Sequence, residues 1–170
     1  MKKITTKDIA LIALMAIILF IQEQILSFVP NVQLTVFFLV LYSKKMGLFK
    51  TMLTTIIYVI LDNITIGGIG VIYIPFMLIG WLIIPILLNT IFKKVNNFIL
   101  LSLLGVLFSF VYSWMLIIPS CILFSMNFFT YILQDLIWEV ILATSSFILI
   151  LLLYKPCSIA LDKFNNTFNR

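Results

Sequence analysis

The opening of the chain, MKKITTKDIALIALMAIILFIQEQILSF (residues 1–28), sets three lysines ahead of about twenty almost unbroken apolar residues. The flanking charge imitates a secretory signal peptide. The apolar run is too long for one, however, and no small-x-small cleavage site follows it. It reads instead as a retained spanning helix over about 8–28, ending before Pro30. The same pattern recurs downstream. Bases cluster at Lys44, Lys45 and Lys50, at Lys93 and Lys94, and at Lys155, Lys163 and Arg170, with long apolar stretches between the clusters. Each stretch is interrupted once by a polar turn without a base. Short loops rich in Lys and Arg stay cytoplasmic, so the pattern predicts three helical hairpins with both termini inside.

The composition agrees. The 170 residues are 64% hydrophobic with a mean hydropathy of +1.25, more apolar surface than a core of this length can hide. The expected fold is an all-α integral membrane protein, a six-helix transmembrane bundle forming one domain over 1–170. The predicted helices cover about 8–28, 32–42, 47–61, 71–92, 98–119 and 129–154, with a short polar tail after the last. Helices 2 and 3, at about eleven and fifteen residues, span roughly 17 and 23 Å, short of the ~30 Å hydrocarbon layer. Either they extend into their flanks or their outer ends border a recess. The Asp62–Gly70 turn, with Gly67, Gly68 and Gly70, is expected to be the most flexible segment. Helix 5 is expected to break near Pro119, leaving Ser120–Phe128 to fold over the outer face.

Several function classes are excluded or disfavoured. The net charge of +5 is dispersed over four patches, which fits topology determinants beside anionic lipid rather than a nucleic-acid surface. With two cysteines, expected at opposite faces, and no histidine, neither a disulfide nor a His-containing zinc site is expected, and no metal or cofactor is predicted. No Walker A sequence, serine-hydrolase elbow or HExxH occurs, so ATP hydrolysis would have to reside in other chains.

The outer half is where function is sought, because its formal charges are all acids: Glu23, Asp62, Asp135 and Glu139. Intramembrane carboxylates cost a few kcal/mol and usually face an interior or a wet cavity. Tyr131, Asp135 and Glu139 follow i, i+4, i+8 spacing on one face of helix 6, with Trp138 beside them. The alternative is that each acid is an ordinary buried group satisfied by a hydroxyl or amide neighbour. Gln22-Glu23-Gln24 end helix 1, and Asn31 and Gln33 follow across the Pro30 turn. Glu23 fits interfacial snorkelling or binding, and the two amides fit turn capping or contact with a heterocycle. Asp62 and Asn63 are accounted for as well by turn formation as by binding. Trp81 in mid-helix 4 and Tyr112 on helix 5 fit packing, or, with the acids, a planar or cationic small molecule. Ala10, Ala13 and Ala16 on helix 1 are candidates for close docking of another membrane protein, or for packing within the bundle.

The chain resembles the substrate-binding (S) components of energy-coupling factor vitamin transporters. The likeness rests on its size and topology, on Ala10-Leu11-Ile12-Ala13-Leu14-Met15-Ala16, on Phe28-Val29-Pro30-Asn31-Val32-Gln33-Leu34-Thr35, and on Leu61-Asp62-Asn63 through Ile79-Gly80-Trp81. The AxxA spacing of Ala13 and Ala16 departs from the AxxxA of that family. The resemblance implies a high-affinity binder of a vitamin or related micronutrient in the bacterial cytoplasmic membrane. Its pocket would lie in the outer half, among helices 4 to 6 and the outer loops. It also implies docking to a transmembrane coupling protein and two cytoplasmic ATPases, with release by toppling of the bound protein. A cell-shape scaffold resembling the MreD type shares the length and topology but needs no polar pocket. An intramembrane enzyme using Asp135 and Glu139 as acid and base is a third reading, although nothing else in the chain completes a reaction centre.

Overall fold

The computed structural model describes residues 4–66 and 70–168, and the side chains of all these except 66, 70 and 166–168. Six helices account for nearly all of them: α1 Thr6–Leu26, α2 Thr35–Lys45, α3 Leu48–Ile66, α4 Gly70–Asn89, α5 Phe98–Phe124 and α6 Phe128–Phe168. Among the described residues there is no strand. Gly67, Gly68 and Ile69, the centre of the turn expected to be flexible, lie outside the described residues.

Local chemistry explains the ends. Thr5 caps α1 in a reciprocal box with Asp8, each side chain bonding the other residue's backbone. Asn97 caps α5 through a 2.9 Å bond from the Ile99 amide. Lys44 spans the end of α4 and the turn after it, donating to the carbonyls of Leu88 at 3.4 Å, Phe92 at 2.8 Å and Lys93 at 3.3 Å.

Three expected boundaries are corrected. Helix 3 does not stop at 61 but runs to Ile66, so Asp62 and Asn63 are helical rather than turn residues. Helix 5 does not break at Pro119; it continues to Phe124, so Ser120–Phe124 is its last turn and not a flap. A proline removes one backbone donor, and in a spanning helix neighbouring groups compensate for that loss. The tail after 154 is likewise helical: α6 continues through Pro156 to Phe168.

Helices α1, α3, α4, α5 and α6 form an arc, each packed on the next, around α2, which touches all five. The central position of α2 explains its composition. Eight of its eleven residues are buried, including Val36, Phe37, Leu39, Val40 and Tyr42, so apolar groups lie all round it. α5 and α6 approach tightly at Gly105, where an added Cβ would collide with Ile150 of α6. The outward faces are also apolar: Ile9, Ile25, Leu107, Leu133, Ile137 and Leu152 are all exposed. Such a surface is stable only in lipid. Five helices (all but α2) are long and apolar enough to cross a bilayer, and the chain is built as a multi-pass membrane protein.

The described lysines gather at one end of this bundle. Lys50 at the start of α3 pairs with Asp8 at the start of α1, and Lys45 at the end of α2 pairs with Asp162 of α6 at 2.5 Å. Lys155 of α6 lies 4.1 Å over the Phe98 ring at the start of α5. These contacts hold the starts of α1, α3 and α5, the ends of α2 and α4, and the last third of α6 at one level.

Candidate functional site

The opposite end holds the other four acids, Glu23, Asp62, Asp135 and Glu139. Glu23 is the last-turn carboxylate of α1, and it is surrounded by donors from three elements. Thr35 Oγ1 at the start of α2 donates at 3.1 Å, Tyr58 Oη of α3 at 3.3 Å and Gln22 Nε2 at 3.3 Å. The Gln33 amide is oriented with its nitrogen towards the acid, 2.7 Å from Oε2 and 3.1 Å from Oε1, so that it donates instead of opposing two acceptors. Gln22 fixes the assembly. Its Nε2 donates to Thr35 Oγ1 at 2.8 Å and to the Leu19 carbonyl at 2.9 Å, while its Oε1 accepts from the Leu34 amide at 2.8 Å. One side chain thereby joins the end of α1 to the first turn of α2, across residues 27–34. Asn31 in that connection adopts φ 57°, a left-handed conformation that Asn tolerates better than most residues.

Asp62, one turn beyond Tyr58 on the same face of α3, lies close enough for its charge to bear on Glu23. It is buried, and its carboxylate accepts from Gln24 Nε2 at 3.4 Å. Two acids therefore share the space between α1, α2 and α3. Among the described residues, no Lys or Arg forms an ion pair with either of them. Donors satisfy the oxygens of Glu23, yet the charge itself has no protein partner. Buried charges are ordinarily paired, so this arrangement is one a cationic or donor-rich guest would complete.

An aromatic wall adjoins the acids. Trp81 of α4 and Tyr112 of α5 stack with centroids 3.6 Å apart and planes 18° apart. Gly80 makes this possible, since a Cβ there would sit 2.9 Å from Tyr112 Cδ2. The Trp81 indole N–H is fully buried and has no hydrogen-bond partner. Tyr112 is itself buried on α5. The next residue, Ser113, donates to Asp135 at 2.7 Å. Tyr131 accepts at 3.2 Å from Ser120, whose hydroxyl lies 3.0 Å from that of Tyr73. Glu139, about 17 Å along α6 from Phe128, is 2% exposed, and one of its oxygens has no partner.

The structure thus brings Glu23, Gln33, Trp81 and Tyr112 together with Tyr131, Asp135 and Glu139 in one half of the bundle. Asn31 is half-buried in the α1–α2 connection, and no hydrogen bond joins it to the acids. Trp138 lies apart, 42% exposed on the outward face of α6. Of the alanines, Ala10 and Ala13 are on the exposed face of α1, whereas Ala16 is buried within the bundle. Sequence reasoning gave too little weight to Tyr58 and Asp62 and passed over Thr35. The first two stand at i, i+4 on one face of α3, a spacing that could have flagged them. No His/Cys/Asp/Glu group among the described residues is arranged to hold a metal ion. The chain matches no protein-family model, and no curated protein or solved structure is significantly similar to it.

Proposed function

We propose that this chain is the membrane-embedded substrate-binding subunit of an energy-coupling factor importer for a vitamin or related micronutrient. The observation that carries the reading is a pair of acids with no basic partner among the described residues, Glu23 and Asp62, in the same half of the bundle as the Trp81–Tyr112 stack. Carboxylates select a cationic or hydrogen-bond-donating ligand, and stacked rings select a planar one. Strongly anionic ligands are disfavoured, because nothing there would neutralise them. In this reading the lysine-rich end and both termini face the cytoplasm of a bacterial cell. The connection 27–34 together with α2 completes the sixth crossing, and the recess opens outward.

The reading assigns ATP hydrolysis to separate subunits, and it is consistent with a sequence that carries no Walker A motif. The exposed face of α1 carries the small residues Ala10 and Ala13 among Ile9, Leu14 and Ile17, and in this reading a transmembrane coupling protein packs there. The test is affinity purification of the tagged full chain from its native membrane. The proposal requires a coupling membrane protein and two ATPases to copurify, and Ala10→Trp or Ala13→Trp to remove them without unfolding the chain. Copurification with cell-wall synthesis machinery instead would refute it.

A further inference from the structure

The lysine-rich end contains a cleft of about 250 Å³ between the starts of α1 and α3, the end of α2 and the last turns of α6. We propose that this cleft binds the phosphate headgroup of an anionic phospholipid. Lys7, Lys45 and Lys50 line it, together with Asp8 and the neutral Asn165. Asp8 occupies Lys50 and Asp162 occupies Lys45, whereas Lys7 makes no ion pair among the described residues. Three ammoniums against two carboxylates leave one positive charge, which a single phosphodiester neutralises. The volume equals that of about eight waters at ~30 Å³ each, room for a phosphate with its glycerol.

The cleft's apolar side distinguishes a lipid from a soluble anion. Leu11 and Met46 form part of the lining. Ile9 and Phe49, adjacent in sequence to Asp8 and Lys50, are exposed on the outward surface at 60% and 51%. A phosphate held by the lysines would therefore have Leu11 and Met46 beside it in the cleft, with exposed apolar side chains on α1 and α3 for acyl chains to follow. Basic pockets between helix ends, at the level where headgroups lie, suit anionic lipid on electrostatic grounds. The site is separate from the acidic recess and lies at the other end of the bundle.

Native mass spectrometry of the full chain in a neutral detergent tests the proposal. The probes are phosphatidylglycerol and phosphatidylcholine with identical acyl chains. The expected result is one retained phosphatidylglycerol, at roughly tenfold higher occupancy than phosphatidylcholine. Lys7→Gln breaks no ion pair among the described residues, so it should lower that preference about threefold or more without changing the melting temperature. A Lys93→Gln/Lys94→Gln double variant, which removes equal or greater charge from another corner of the same end, should leave the preference unchanged. Equal retention of the two lipids, indifference to Lys7→Gln, or an equal loss in the Lys93/Lys94 variant would overturn the assignment. Displacement of the lipid by millimolar inorganic phosphate would overturn it in favour of a soluble anion.

Discussion

Replacing Thr35 by valine keeps the shape of a fully buried side chain and deletes one hydroxyl. That hydroxyl accepts from Gln22 at 2.8 Å and donates to Glu23 at 3.1 Å, joining α1 to α2 where no other side chain does both. Hydrogen bonds between helices in membranes contribute about 0.6 kcal/mol on average and up to ~1.7, and the bond to a carboxylate belongs near the upper figure. The loss should therefore be about 1–2.5 kcal/mol. At roughly 2–4 °C per kcal/mol for a chain of this size, the melting temperature should fall by about 2–10 °C. Thr54→Val is the matched comparison. Thr54 is equally buried on α3, but its hydroxyl has no partner, so its removal relieves an unmet polar group and should leave stability unchanged or raise it by up to ~2 kcal/mol. Both variants would be melted in the same detergent with tryptophan fluorescence as the signal. If Thr35→Val melted with the parent, or if Thr54→Val were the more damaging, the Gln22–Thr35–Glu23 network would not be what ties α1 to α2.

Gly80→Ala should force the Tyr112 ring off Trp81, because the new methyl would stand 2.9 Å from Tyr112 Cδ2. A cost of about 1–3 kcal/mol and an altered near-ultraviolet dichroism of the tryptophans are expected. Lys45→Gln removes an ion pair whose members are 21% and 53% exposed. Solvent screens such a pair, so the expected loss in unfolding titrations is below ~1 kcal/mol. The proposed orientation is open to cysteine labelling after Cys121 and Cys157 are replaced. Lys93→Cys should react with a membrane-impermeant maleimide only in inside-out vesicles, and Ile64→Cys only in right-side-out ones; the opposite pattern would invert the bundle.

The lysine clusters made one end of the bundle readable, because a base does not remain in hydrocarbon and Lys44, Lys45, Lys50, Lys93 and Lys94 mark the turns between α2 and α3 and between α4 and α5. Helix ends were less readable. Pro119 and Pro156 stop soluble helices, but here both lie inside continuous helices, α5 and α6. The segment after Tyr154 looked like a polar tail because its anchor is remote: Asp162 finds Lys45 of α2. At the site, periodicity on helix 6 placed Tyr131, Asp135 and Glu139 on one face, and each turns towards α5 or the interior. The α1–α3 half was harder to see. Thr35 carries no sequence signal that separates a network hydroxyl from any threonine at a helix start. Asp62 looked like a turn residue because three glycines follow it within eight positions. Only the tertiary arrangement shows that Glu23, Thr35 and Tyr58 meet.

The most direct test of the account is mass spectrometry of small molecules released from the gently purified full chain, with a Glu23→Gln/Asp62→Asn variant prepared in parallel. The account predicts one planar, cationic or donor-rich molecule per chain in the parent and its loss from a variant that still folds. A parent that carries no such molecule, or a variant that retains it at full stoichiometry, would contradict the claim that the acidic recess is a binding site.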